Sequence, residues 1–312
     1  MRSGSTFAGK MFDFNPDAFY IYEPLHYLNI AYRNNMDVTS ISLQTRKVIN
    51  YNSEAITIIK NYLTCNLHDL PIETLIQGHQ RQSESSSLYL KCMKTAFRDP
   101  ASFSEDINPC MGYLKDVCLR AKFTAVKTIN FPMEAAREMI TNGLNIKIIH
   151  LIRDPRAVIK SQVERIFGNW SMVQSIARHH CARLQSDFDD TKTLLKSRPQ
   201  NIKVLFYEDL VADMFSNIKY VYDFIEVQYR DSLHEFVQAL TTGNETDGCM
   251  TCAVRPNTEY ESVKWRTKID YKHVLIIDNE CWKAYDKLGY VRVRSRDHLL
   301  NLNVSLRRDV HI

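Results

Sequence analysis

The chain has 312 residues, 45% of them hydrophobic, with 40 Lys and Arg set against 36 Asp and Glu. That length allows one large α/β domain or two smaller ones, with enough apolar material for a sizeable core. The formal charge of +4 argues against bulk nucleic-acid binding but permits a local basic cleft, and no apolar run approaches the ~18 residues of a membrane span or forms the h-region of a signal peptide.

The first element is Arg2-Ser-Gly-Ser-Thr6, a small-residue loop opening a helix over residues 5–14, whose apolar face carries Phe7, Met11, Phe12 and Phe14 and which Asn15-Pro16 ends. Loops of this kind follow a buried strand that aims them, yet Met1 stands directly against this one. The first strand is therefore expected to be missing, and the chain truncated along with any upstream address or anchor. Residues 19–23 read as a strand halted by Pro24. Residues 30–120 are the least legible, with a helix near 52–63 and a Ser-rich break at 83–87. Alternation resumes in a strand over 123–131. Pro132 and Gly143 bracket the next helix, a strand follows at 146–152, and Asp154-Pro155 is an N-cap with a first-turn proline. A long helix over 172–196, a strand over 202–207 and a helix near 218–225 complete the alternation. The fold class expected is α/β, a central parallel sheet flanked by helices in a P-loop-like arrangement. One domain should span residues 1–295, with 296–312 as a C-terminal tail. Such folds bind ligands beyond the carboxyl ends of their strands, and two anion motifs fall at such ends.

The loop is one of them. Gly4 permits close backbone approach, and Ser3, Ser5 and Thr6 offer hydroxyl and N–H donors to an anion at a helix start. The loop lacks the Gly-x4-Gly-Lys-Ser/Thr pattern of triphosphate hydrolysis. Taken alone, a small polar turn explains it equally well. The second motif, Arg153-Asp-Pro-Arg-Ala-Val-Ile-Lys-Ser161, is more specific: Arg153 ends a strand where it can fork onto a phosphate, and Ser161 donates from the following helix. Its plain alternative is a capped surface helix. Two cradles imply a ligand phosphorylated at two ends, a phosphosulfate donor rather than a nucleoside triphosphate. A P-loop kinase is disfavoured because the Lys-Ser/Thr ending and a Mg²⁺-holding pattern are both missing.

With these motifs in view, the chain resembles the Golgi carbohydrate sulfotransferases, the galactose/N-acetylglucosamine 6-O-sulfotransferase group. Arg2-Ser-Gly-Ser-Thr-Phe7 looks like their 5′-phosphosulfate loop, continued by Asn15-Pro-Asp-Ala-Phe-Tyr-Ile-Tyr-Glu-Pro24. Leu151-Ile-Arg-Asp-Pro-Arg-Ala-Val158 with Ser161 resembles their 3′-phosphate motif. Tyr207-Glu-Asp-Leu210, Lys264-Trp-Arg266, Cys281 and Leu288-Gly-Tyr290 follow in the order of the later signatures. The resemblance implies 3′-phosphoadenosine 5′-phosphosulfate as co-substrate, a glycan acceptor, no nucleic acid and no metal. It also implies a Golgi membrane protein with a lumenal catalytic domain, its anchor upstream. It puts Arg2, Ser3, Gly4, Ser5, Thr6 and Phe7 at the 5′-phosphosulfate, Arg153 and Ser161 at the 3′-phosphate, and Trp265 and Arg266 on the nucleotide's phosphate side.

Sulfuryl transfer needs an in-line hydroxyl, charge relief at the leaving phosphate and a base. Arg2 is the candidate for charge relief and Glu23, ending the strand beside the loop, for the base; a structural carboxylate paired with Lys or Arg is the equal alternative. His26 and His79 are weaker candidates, Lys127 faces either the cleft or the sheet's rim, and Glu208 or Asp209 orders the nucleotide site unless Asp209 merely caps a turn. Cys249-Met-Thr-Cys252 has no second pair at finger spacing, so a disulfide involving Cys249 or Cys252 is favoured. Eight cysteines with sequons at Asn169, Asn244 and Asn303 lean towards a secretory lumen. The alternative in a different class is a non-catalytic sulfotransferase-like protein that binds nucleotide or glycan.

Overall fold

The computed structural model describes residues 4–96, 103–242 and 258–310. Arg2, Ser3, Asn244, Cys249 and Cys252 lie outside them. The chain divides into two compact units, one of residues 6–139 and one of residues 140–312 with residues 1–5.

In the N-terminal unit, α1 (Ser5–Asp13) leads into β1 (Ala18–Tyr22), which is buried along its whole length. β1 pairs in parallel with β4 (Phe123–Lys127), Ala18 opposite Phe123 and Tyr22 opposite Lys127. Both strands stop short of the ends anticipated at Glu23 and Phe131, because Glu23 turns into the left-handed region at φ 52°. The Ser-rich break has a use that composition alone does not disclose. Ser85 and Ser83 hydroxyl oxygens accept the N–H groups of Tyr20 at 2.9 Å and Tyr22 at 2.8 Å. They satisfy donors on the edge of β1 that otherwise need another strand.

The poorly legible stretch is mostly helical: α2 (His26–Arg33), a small hairpin of β2 (Asp37–Thr39) and β3 (Thr45–Lys47), α3 (Tyr51–Leu63), α4 (Ile72–Ile76), α5 (Ser87–Ala96) and α6 (Phe103–Arg120). Disulfides Cys65–Cys118 and Cys92–Cys110 staple these helices. The side chain of Gln80, fully buried, donates to Tyr62 Oη at 2.9 Å and to the Thr74 carbonyl at 3.1 Å, and it accepts from Ser86 Oγ at 2.8 Å.

In the C-terminal unit, which follows α7 (Met133–Thr141), β5 (Ile148–Ile152) pairs in parallel with β6 (Ile202–Phe206). Asp154 caps α8 (Pro155–Gln162), its carboxylate accepting the Arg156 N–H at 2.9 Å. A π-helical turn, Val163–Phe167, then closes at Gly168. α9 (Val173–Ser197) packs on α14 (Tyr271–Leu288), and Cys181–Cys281 bonds the two. Phe188, Val274, Ile277, Tyr285 and Leu288 form the centre of this core. Between them in sequence come α10 (Tyr207–Ala212), α11 (Met214–Ile225), α12 (Asp231–Thr242) and α13 (Thr258–Val263). The last residues, anticipated as a tail, put Leu299 of α15 (Arg296–Leu300) and Leu306 into the same core.

A single central sheet is not what the ladders form. Among the described residues there are two parallel two-stranded sheets, one per unit, plus the antiparallel hairpin. The α/β class with parallel pairing holds, but the molecule is mostly helical. Among the described residues no helix is long and apolar enough to cross a membrane.

Candidate functional site

In the C-terminal unit, residues from both anion motifs meet on one aromatic ring. Gly4 has φ +85°, and a Cβ built there would lie 2.2 Å from both Cδ2 and Cε2 of Tyr207. Only glycine fits both that backbone and that approach. The Arg153 guanidinium lies 4.4 Å from the centroid of the same ring, a cation–π distance. Arg153 follows β5 and Tyr207 follows β6, so the parallel register sets the two side by side. The Asp154 N–H donates to Glu208 Oε1 at 2.9 Å, and the Tyr290 hydroxyl donates to Glu208 Oε2 at 3.2 Å. Burial and then Asp154 push the Glu208 carboxyl above its ordinary range, opposed by hydrogen bonds and by Arg153. Glu208 thus ties the two strand ends together. Asp209 pairs with Arg307 rather than capping a turn. Ser161 stands on α8, two turns beyond its cap.

Behind this face sits a buried arginine that sequence reasoning passed over as incidental charge. Arg156 is fully buried. It donates to Asp154 at 2.9 and 2.8 Å, to Asp278 at 3.5 Å and to the Val291 carbonyl at 2.8 Å. Burial acts to lower its pKa, but Asp154, Tyr285 and Asp278 outweigh burial and hold it above its ordinary value. Trp265, 6% exposed, lies 5.4 Å from this guanidinium. Arg266, anticipated at the nucleotide's phosphates, is 2% exposed. It donates instead to the carbonyls of Leu299, Val304, His298 and Asn301 at 2.7–2.8 Å.

In the N-terminal unit, the carboxyl ends of β1 and β4 bring together Glu23 and Lys127. Glu23 is 3% exposed; Lys127 Nζ pairs with its Oε1, and the Ile129 N–H donates to its Oε2 at 3.2 Å. A left-handed non-glycine residue is uncommon and costs roughly 1–3 kcal/mol, a strain that clusters at functional sites. Lys127 Nζ also lies 4.4 Å over the Tyr22 ring. The Tyr22 hydroxyl shares a 3.0 Å hydrogen bond with Thr6 Oγ1, so the helix-opening residue of the anion loop touches the strand that ends in Glu23. Phe7 is buried on the inner face of α1. His26 and His79 meet edge to face with ring centroids 4.2 Å apart. Neither the His–His contact nor the Glu23–Lys127 pairing has a spacing signature; the β1–β4 register alone creates the second.

A sequence model of the sulfotransferase family matches residues 1–231. Carbohydrate sulfotransferase 1 of Danio rerio is 22% identical over 99% of this chain and 80% of its own length. Carbohydrate sulfotransferase 4 of Mus musculus is 23% identical, covering 100% of this chain and 85% of itself. Carbohydrate sulfotransferase 2 of Homo sapiens is 21% identical, covering 98% and 67%.

Proposed function

This chain belongs to the sulfotransferase family, and from that premise we propose that it moves the sulfuryl group of 3′-phosphoadenosine 5′-phosphosulfate to a sugar hydroxyl, the 6-hydroxyl of galactose or of an N-acetylhexosamine. The observation that carries the reading is the meeting of Gly4 and Arg153 on Tyr207. Two motifs some 150 residues apart in sequence converge on one ring, as a ligand with anionic groups at both ends requires.

The donor supplies an activated sulfuryl group; the chain's own residues hold and orient it. Backbone N–H groups and hydroxyls of Ser3, Gly4, Ser5 and Thr6, closed off by Phe7, hold the 5′-phosphosulfate. Arg153 and Ser161 take the 3′-phosphate. Arg2 offsets the charge growing on the leaving phosphate oxygen. Glu23 accepts the acceptor's proton, with the Lys127 ammonium fixed beside it. Trp265 and Arg266 act at one remove. Trp265 backs Arg156, the partner of Asp154 beside Arg153, and Arg266 anchors the carbonyls of residues 298–304. Three disulfides among the described residues fit an oxidising lumen, in line with a Golgi enzyme.

The test is transfer of labelled sulfate to a panel of galactose- and N-acetylglucosamine-terminated glycans, by this chain and by an upstream-extended form. Transfer supports the reading. Nucleotide binding without transfer by either form would replace it with a nucleotide- or glycan-binding role. Arg153→Ala should weaken nucleotide binding severely, and an unchanged affinity rejects the 3′-phosphate assignment.

A further inference from the structure

The sequon Asn169-Trp-Ser171 is a motif that the transfer chemistry leaves unused. Beyond α8, the π-helical turn Val163–Phe167 ends at Gly168, whose φ is 65° and whose N–H closes on the Val163 carbonyl at 2.7 Å. Asn169 comes next, exposed, and the short turn Trp170–Met172 follows it. Trp170 is the anchor: it packs against the core of the C-terminal unit and stacks on the His273 ring at 4.2 Å, the planes 10° apart. Asn169 Oδ1 accepts the Ser171 N–H at 2.9 Å, which orients the carboxamide, and no described residue takes a hydrogen bond from its Nδ2. The surface around this asparagine is apolar. Ile166 and Phe167 are each 46% exposed and Met172 is 41% exposed, on two turns that pack together. Single exposed apolar residues are ordinary on a soluble protein, whereas a cluster marks a surface that something covers. The sequon at Asn303 is tied into the fold instead. There the Ser305 hydroxyl donates to the Arg307 carbonyl at 2.6 Å, and Arg266 holds the carbonyls of Asn301 and Val304 at 2.7 and 2.8 Å.

We propose that Asn169 carries an N-linked glycan whose first sugars lie over Ile166, Phe167 and Met172. The inference rests on the lumenal placement in the reading above, because the glycan donor is met only there. In the step that makes it, Asn169 Nδ2 bonds to the anomeric carbon of an oligosaccharide carried on a polyprenyl diphosphate. The bond from that carbon to the diphosphate oxygen breaks, its electron pair leaves on the diphosphate, and one amide proton passes to a base of the transferase. The chain supplies only the acceptor amide and the serine two positions on that marks it. What the fold must do is leave Asn169 in the open, and it does. The cover follows from the chemistry of a sugar ring, which presents C–H groups on one face and hydroxyls at its edge. Such a ring can rest on an aromatic or aliphatic side chain with its polar edge in water, and Phe167 offers that platform. Asn169 lies no more than three positions from Ile166, Phe167 and Met172, so a glycan attached there stands on the patch itself. A bulky, solvated substituent at that place also keeps a second copy of the chain away from it.

None of these side chains is among those assigned to the donor or to the base. The backbone bonds of the two turns, Gly168 N–H to the Val163 carbonyl at 2.7 Å and Met172 N–H to the Asn169 carbonyl at 3.3 Å, do not depend on the Asn169 or Ser171 side chains. Asn169→Gln and Ser171→Ala should therefore fold.

The experiment produces the full 312-residue chain behind a cleavable secretion signal in cultured insect cells, with Asn169→Gln, Ser171→Ala and Asn303→Gln beside it. A fourth variant combines Asn169→Gln with Ile166→Ser and Phe167→Ser. Mass spectrometry of the wild-type tryptic peptide 166–178 should find a glycan that peptide N-glycosidase removes, leaving aspartate at position 169. Asn169→Gln and Ser171→Ala should lose the same step in gel mobility, and Asn303→Gln should keep it. Soluble monomer of Asn169→Gln should fall several-fold, and the combined variant should recover it without regaining the glycan. An unmodified wild-type peptide overturns the site, and that result needs no variant to fold. A glycosylated wild type beside an equally soluble, monomeric Asn169→Gln overturns the cover. A glycosylated wild type that dimerises, the dimer being lost with Ile166→Ser and Phe167→Ser, gives the patch to a second copy and overturns the cover as well. Because the added signal forces entry into the lumen, these failures leave the compartment untouched. The natural gene product recovered with Cys181 and Cys281 reduced overturns the lumenal reading and, with it, the glycan in the cell.

Discussion

Replacing Gly4 by alanine tests the convergence on Tyr207 directly. The new Cβ would stand 2.2 Å from each of two ring carbons, where ordinary contact begins at 3.4 Å, so something must retreat by more than an ångström. The ring has little freedom, being 5% exposed and faced by the Arg153 guanidinium at 4.4 Å. The loop must therefore move. Holding an alanine at positive φ adds about 1–2 kcal/mol, which alone corresponds to roughly tenfold in an equilibrium constant. A displacement of about 1 Å at a reacting centre costs on the order of 10²-fold in rate. We expect Gly4→Ala to bind 3′-phosphoadenosine 5′-phosphate at least about tenfold more weakly and to lose about 100-fold in kcat/KM. Calorimetric titration measures the first and initial rates the second. Gly112→Ala is the control, since a Cβ there meets nothing within 4 Å. Binding by Gly4→Ala within about threefold of wild type, under 1 kcal/mol, at an unchanged melting temperature would refute the placement of the loop against Tyr207.

Arg156→Met leaves Asp154 and Asp278 buried without their cation. Breaking such a network typically costs about 3–5 kcal/mol, so a fall in Tm of roughly 10 °C is expected in a thermal melt, and a shift near zero refutes the role. Replacing Cys181 and Cys281 by alanine opens a loop with a sequence separation of 100; a loss of about 2–5 kcal/mol in denaturant unfolding is expected, and an unchanged midpoint refutes it. Burial holds His150 down to about 4 and His180 to about 3, against about 6.5 in the unfolded chain. Between those values the unfolded chain binds protons that the folded one refuses. Stability is therefore complete above about pH 6.5 and falls as pH drops towards 4, by up to about 2.7 kcal/mol per pH unit for the two groups. Urea unfolding at pH 7, 6 and 5 measures the slope, and a flat profile removes the assignment.

The sequence by itself settled the local matters. Asp154-Pro155 specified a capped helix start because one residue supplies an acceptor and the next a preset φ. The alternation of strands and helices specified parallel pairing, and the order of separate motifs specified the family. What only the tertiary structure decided are matters of partner choice. A serine hydroxyl can face water or a strand edge, and only packing made Ser83 and Ser85 the edge of β1. Arg156 and Arg266 look in sequence like any surface arginines, yet both are interior, because Asp154 and Asp278 neutralise one and a ring of carbonyls surrounds the other. Cysteine spacing could not say how the six cysteines of the described residues would pair, since a disulfide requires facing Cβ atoms rather than a separation in sequence. Glu23 was legible as a strand-end acid. That Lys127 would complete it, and that two histidines would stand beside it, followed from register and helix docking, which bring together residues 104 positions apart.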